Sequence, residues 1–218
     1  MTNPAPLYPI ALRLDGQRCL VVGAGSVAAR KVASLLSCGA QVTVIAPKIS
    51  PQIECLSARF VRRAYRPGDV GGYRLVIAAT GVREVDRAVF RDAEDAGVLV
   101  NGVDDVEACR FFVPALLRRG PVTVAVSTAG TSPFLAAWLR DRIGEDVGSE
   151  IAGVAELLGE ARRVLKEAGS STEGADWSSL LDEDLVSAVA AGREEEARRR
   201  LEEWLACELG RIRGKQRE

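Results

Sequence analysis

Gly23, Gly25 and Ala28 stand in the spacing Gly-x-Gly-x-x-Ala directly after the apolar run Cys19-Leu20-Val21-Val22. In that spacing the first glycine permits a tight strand-to-helix turn. The second lets phosphates approach the backbone, and the small third residue lets helix and strand pack closely. Ser26 and Val27 would open the helix, whose first N–H groups have no partner within it and suit an anion. The pattern predicts that Gly23, Gly25, Ser26, Val27 and Ala28 hold a dinucleotide pyrophosphate. The alternative is a tight turn without a ligand. A helical pattern follows with Val32, Leu35 and Leu36 apolar and Gly39 at its close, then Gln41-Val42-Thr43-Val44-Ile45-Ala46 reads as a second strand at βαβ distance.

Other residues able to do chemistry stand where strand signals end. Val76-Ile77-Ala78-Ala79-Thr80 is predicted to finish beside the glycine turn, where Ala79 and Thr80 would touch ribose or nicotinamide, or simply form a small-residue strand end. The strand at 41–46 runs into Pro47 and Lys48, without the acidic residue that ordinarily takes the adenosine ribose 2′-hydroxyl. Pro47 and Lys48 are therefore expected at the adenosine end. NAD and NADP both stay open there, since Lys48 is a point charge that suits a 2′-phosphate. Asp104 and Asp105 follow a further strand, at the carboxyl end where such sheets take ligands. Asp104 is the candidate acid–base group, the alternative being that either aspartate caps a short helix near Val106, with Asp105 the better cap. Ser127, Thr128, Thr131 and Ser132 offer hydroxyls in a turn, and Ser132 is placed to cap a helix that opens on Pro133. Cys109 reads as a small core residue rather than a nucleophile.

The chain must build elements that hold these groups. Strand signals at 18–23, 41–46, 59–65, 74–80 and 97–102 alternate with helical signals at 27–38 and 84–96, the second with Val85, Ala88, Val89 and Ala93 on one face. This predicts an α/β fold of Rossmann type, a doubly wound parallel sheet. At 111–117 and 122–126 the pattern becomes two antiparallel strands around a Gly-Pro turn, followed by a helix to about Gly144. Further helices are expected from residue 149 to a break at 169–172, from a cap at Asp176 through Ala190, and from 193 to 212. The last carries Leu201, Trp204, Leu205, Leu209 and Ile212 in a stripe, with its charged positions solvated. The expected division is 1–113 for the nucleotide domain, 114–148 for a small α+β unit and 149–218 for a helical domain.

Composition narrows the function. The 218 residues include 29 basic and 30 acidic side chains, so no net field attracts nucleic acid. No apolar run approaches the roughly 20 residues of a membrane helix, and the first six residues lack the features of a signal peptide, so a cytoplasmic location is expected. The five cysteines form no C-x-x-C pair and histidine is absent, so no metal site is expected and acid–base work falls to carboxylate, Lys, Tyr or Cys.

Taken together, Leu7-Tyr8-Pro9-Ile10, the turn at 23–31, Val76-Ile77-Ala78-Ala79-Thr80, Val100-Asn101-Gly102-Val103-Asp104-Asp105 and the block 124–133 resemble the precorrin-2 dehydrogenase family. That family also forms the N-terminal dehydrogenase and chelatase module of siroheme synthases. The likeness covers residues 7–142 closely and the remainder only as a helical region. It implies oxidation of precorrin-2 to sirohydrochlorin, in siroheme or cobalamin biosynthesis, with NAD as the cofactor, and a homodimer built through the middle unit. It implies a catalytic role for Asp104, matching an aspartate of the family's cleft, as base for the proton that accompanies hydride transfer to the nicotinamide. For a polycarboxylate tetrapyrrole it makes Ser127, Thr128, Thr131 and Ser132 candidate substrate-binding residues, and Arg110, Arg118, Arg119, Arg140 and Arg142 available cations. Gly102 replaces the family's frequent valine and is expected to loosen its loop. The alternatives are a bifunctional dehydrogenase and sirohydrochlorin ferrochelatase, and a non-enzymatic NAD-sensing module.

Overall fold

Leu20, Val21 and Val22 are buried without alternation, as a strand covered on both faces requires. The computed structural model describes residues 6–103 and 105–215, with side chains as far as residue 211. Asp104 lies outside the described residues. The chain divides into two compact units, Met1–Val113 and Pro114–Glu218.

The first unit runs β1 (Arg18–Val22), α1 (Ser26–Leu36), β2 (Gln41–Ile45), α2 (Pro51–Glu54), β3 (Arg59–Val61), β4 (Leu75–Ala78), α3 (Arg83–Asp95) and β5 (Leu99–Gly102). Its strands are all parallel, in the order β3-β2-β1-β4-β5. The doubly wound fold expected from the sequence is therefore present. Alternate residues feed two cores. Cys19, Val21, Val42, Val44, Leu75 and Ile77 pack with Ala28, Val32 and Leu35 of α1 and Ile53 of α2. Leu20, Val22, Ile45, Val76, Ala78 and Val100 pack with Val89 and Ala93 of α3 on the other face. The sheet changes direction between β1 and β4, where folds of this kind take their ligands.

Several boundaries differ from the sequence expectation for local reasons. β3 stops at Val61 rather than 65, because Arg63 turns aside to grip Asp69 at 2.6 and 2.7 Å and the Tyr65 hydroxyl donates to Asp92 at 2.5 Å. Burial and the Asp92 carboxylate push the Tyr65 phenol well above its ordinary range.

In the second unit β6 (Ala115–Arg119) and β7 (Val122–Val126) form an antiparallel hairpin, with Arg119 opposite Val122. The first strand begins after Pro114, not at 111, and continues through Arg118 and Arg119. The turn is only Gly120 and Pro121, and Gly120 supplies the positive φ of +54° that such a tight reversal needs. Then come α4 (Pro133–Asp146), α5 (Ile151–Glu167), α6 (Glu183–Ala190) and α7 (Glu194–Lys215). Val154, Ala161 and Leu165 of α5, Leu185 and Ala188 of α6, and Ala197, Leu201 and Trp204 of α7 form their core, with Leu205 and Leu209 against it. The helix expected from Asp176 starts later. Asp176 precedes a single 3₁₀ turn, Trp177–Ser179, and Asp182 caps α6 through Leu185 N–H at 2.8 Å. Glu208 departs from the solvated face expected for α7, being buried with an Arg211 partner at 2.6 Å. Among the described residues no helix is long and apolar enough to cross a membrane.

Candidate functional site

The carboxyl ends of β1, β2 and β4 converge on the glycine turn. Gly23 donates its N–H to the Ile45 carbonyl at 2.9 Å, and Ala79 donates to Val22 at 2.8 Å. A Cβ on Gly23 would lie 2.2 Å from the Ala79 oxygen and 2.8 Å from the Thr80 nitrogen, on a backbone with φ +111°. Glycine is thus required by conformation and by the Ala79–Thr80 peptide pressed against it. Gly25 is different. Its φ of −82° suits any residue, and a Cβ there would meet nothing within 4 Å. Its missing side chain leaves open space directly before α1.

That space borders an uncapped helix. No side chain bonds to the first turn of α1, and no acidic residue sits in it. Geometry leaves the N–H groups of Ser26, Val27 and Ala28 without partners inside the helix, so they and the helix dipole favour an anion. Ala28 is fully buried in the core beneath, as close helix–strand packing demands. The residues present therefore fit a dinucleotide pyrophosphate on the Gly25 side. Pro47 and Lys48 follow β2 in exposed positions.

Thr80 has a neighbour the sequence reading missed. Asp86 on α3 is only 8% exposed, and one of its oxygens accepts the Thr80 N–H at 3.1 Å and the Thr80 hydroxyl at 2.7 Å. The hydroxyl proton has a second possible acceptor, Val82 O at 3.2 Å. The shorter, charge-assisted bond to Asp86 takes it. The same hydroxyl oxygen accepts the Val82 N–H at 3.0 Å. The signal for Asp86 was a polar residue three and seven positions before Val89 and Ala93, on the face of α3 that enters the core.

The backbone flanking residue 104 is held closely. Val103 N–H donates to Ala78 O at 2.9 Å, and Ala108 N–H to Asp105 O at 3.0 Å in the 3₁₀ turn Val106–Ala108. Asp105 precedes this turn but makes no side-chain cap. Its carboxylate instead accepts from Arg87 Nε at 3.2 Å, and that guanidinium holds it below the usual carboxylate range. Gly102 has a packing role beyond the loop effect expected of it. A Cβ there would lie 2.9 Å from both Cβ and O of Ala108, so its absence lets the 3₁₀ turn fold tightly back on β5. Cys109 fits the core reading. Its thiol donates to Gly102 O at 3.1 Å and accepts from Asn101 Nδ2 at 3.2 Å, and burial raises its pKa, which opposes thiolate formation.

The hydroxyl-rich turn before α4 is largely occupied with itself. Ser132 Oγ accepts Leu135 N–H at 3.2 Å, Thr128 Oγ1 accepts Ser132 N–H at 3.1 Å and donates to Ser132 O at 3.0 Å, and Ser127 Oγ accepts Ala129 N–H at 3.2 Å. The Thr131 N–H bonds back to Thr128 O at 2.9 Å, and the residue is exposed. Of the arginines, Arg110 pairs with Glu94 and lies over the Phe90 ring, Arg140 pairs with Asp141 and Arg142 with Glu145. These pairs are at the surface and weak enough to exchange partners.

Residues 10–115 match the family model described as putative NAD(P)-binding, and residues 119–145 match that of the sirohaem biosynthesis protein central region. The siroheme synthase of Chromobacterium violaceum is 38% identical over 206 residues, which is 92% of this chain and 44% of the relative. That of Acinetobacter baylyi is 41% identical over 165 residues, 73% of this chain and 36% of the relative. The chain thus spans less than half the length of these curated relatives. The solved structure of SirC, precorrin-2 dehydrogenase, is similar in fold, with a TM-score of 0.70 at 23% identity over 94% of this chain and all of that one.

Proposed function

We propose that the chain oxidises precorrin-2 to sirohydrochlorin with NAD as hydride acceptor, a reading its similarity to siroheme synthases supports. The observation that carries this reading is the uncapped start of α1 behind Gly25, at the point where the sheet changes direction. The bound nicotinamide would supply the two-electron chemistry. The chain's own residues bind and orient. Gly23, Gly25, Ser26, Val27 and Ala28 present backbone to the pyrophosphate. Ala79 and Thr80 line the nicotinamide side, Thr80 through its backbone carbonyl because its N–H and its hydroxyl proton both go to Asp86. Pro47 and Lys48 border the adenosine ribose.

Asp104 is the base in this proposal. Oxidation of the tetrapyrrole sends a hydride to the cofactor and a proton to the protein, and a carboxylate is the natural acceptor in a chain without histidine. The tight bonds around Val103, Ala108 and Cys109 support a fixed loop on either side of it. Ser127, Thr128, Thr131 and Ser132 are assigned to the substrate's propionates, with Ser127 and Thr131 making contact and Thr128 and Ser132 shaping the turn. The three-part division at 113 and 148, a homodimer and a cytoplasmic location belong to the same proposal. The unit boundary at Pro114 supports the first division. Exposed Phe134, Leu135 and Trp138 on α4 support pairing through the middle unit.

The test is an anaerobic assay with precorrin-2 and NAD. NADH and sirohydrochlorin should appear together in equal amounts. Asp104→Asn should retain NAD affinity and lose turnover on the order of 100-fold. Sirohydrochlorin formation without NADH, or an Asp104→Asn enzyme of normal rate, would overturn the respective assignments.

A further inference from the structure

We propose that Asp86 is a positioning residue for the dinucleotide, holding the Ala79–Thr80 peptide in the one orientation that leaves the crevice open; this rests on the NAD-binding reading above. Three observations converge on that peptide. Its carbonyl side abuts Gly23, at 2.2 Å from the place a Cβ would occupy. Its N–H side points to the Asp86 carboxylate at 3.1 Å, and the adjoining Thr80 hydroxyl adds a bond of 2.7 Å to the same oxygen. The next residue, Gly81, takes a positive φ of +73°, so the chain reverses at once into α3 and brings Asp86 back beneath it.

A carboxylate on the core-facing side of a helix is costly to bury unless it is bonded. Among the described residues its side-chain partners are the two Thr80 donors. The strand end and the helix therefore hold each other through one oxygen atom. If that acceptor is removed, the Thr80 N–H and hydroxyl must seek others. Rotation toward the crevice satisfies them with water, but it also shifts the Ala79 carbonyl against Gly23, which has no room to yield. The pyrophosphate turn and the nicotinamide side would then move together. Asp86 acts on the cofactor only through this peptide.

The bonds converge on a single oxygen, so an amide can replace the carboxylate while an alanine cannot. NAD affinity of the full chain, measured by calorimetric titration, is the readout, with thermal unfolding followed alongside. Asp86→Ala should weaken NAD binding about tenfold, and Asp86→Asn should restore it to within about twofold. Thr80→Ala, which keeps the N–H bond and loses the hydroxyl, should weaken it about threefold, with Thr80→Ser near the parent. A folded Asp86→Ala protein with parental NAD affinity overturns the proposal. So does Asp86→Asn binding as weakly as Asp86→Ala, since charge rather than orientation would then be at work. If Asp86→Ala does not fold, unchanged affinity in Thr80→Ala overturns it instead. Gly25→Val separates the two levels. Loss of NAD binding there with none in Asp86→Ala removes only the role of Asp86, whereas no loss in Gly25→Val removes the nucleotide reading itself.

Discussion

Two turns in this molecule lead from a strand into a helix through small residues, and they finish the helix in opposite ways. After β1, the run Gly23-Ala24-Gly25 enters α1 with no side chain on the first-turn amides and open space beside Gly25. After β7, residues 127–132 enter α4 with Ser132 bonded to Leu135 N–H, Thr128 bonded to both sides of the Ser132 backbone, and Pro133 lacking an N–H altogether. The second turn spends the Ser132 and Leu135 amides on its own side chains. The first leaves its amides for an outside acceptor. Glycine content alone does not make an anion site, since Gly130 also sits in the second turn; what matters is whether the amides at the helix start remain unpaired.

The contrast can be broken at either turn. The largest effect should come from Gly23→Ala, which drives a methyl into the Ala79 carbonyl at a left-handed backbone position. A loss of about 2–5 kcal/mol is expected from the clash and the conformation together, read from the denaturant midpoint. A variant as stable as its parent would mean that β1 and β4 can part at their ends. Gly25→Val should act on binding instead. NAD affinity should fall at least about tenfold, while stability drops by about 1 kcal/mol or less, as valine is a poorer cap than glycine. Retained affinity would take the pyrophosphate away from this turn.

Ser132→Ala should show the reverse. Stability should fall by about 1 kcal/mol with the lost cap, and NAD affinity should not change. A drop in NAD affinity would show that the turn before α4 serves the nucleotide too. The smallest effect concerns Ala129, which adopts a φ of +53° beside Gly130. Ala129→Gly relieves about 1–2 kcal/mol of left-handed strain and returns about 0.4–1 kcal/mol of chain entropy to the unfolded state, for a net gain of up to about 1.6 kcal/mol. A destabilised variant would show that the methyl makes contacts that outweigh the strain.

The sequence determined the parallel sheet, its doubly wound class and the place of the glycine turn. Apolar runs such as Leu20-Val21-Val22 and the glycine spacing are local facts, and burial on both faces leaves them few alternatives. It also placed Pro133 and Ser132 at the start of α4, because a cap and the residue it serves are neighbours in the chain. What it did not decide were matters of side-chain partnership across elements. Asp105 is a good cap by type and position, yet its carboxylate goes to Arg87, 18 residues back, since α3 brings that guanidinium alongside. Gly102 looked like slack in a loop and proves to be where Ala108 packs against a strand. The role of Gly23 was legible as a turn, but its contact with Ala79 follows only when β1 and β4 lie side by side. Asp86 was legible only as a polar position in register with Val89 and Ala93, and its Thr80 partner was not, because a lone acid in an amphipathic helix normally faces water. Only the fold, by turning the chain at Gly81 and stacking α3 on β4, made burial of that carboxylate and the Thr80 bonds that compensate for it parts of one event.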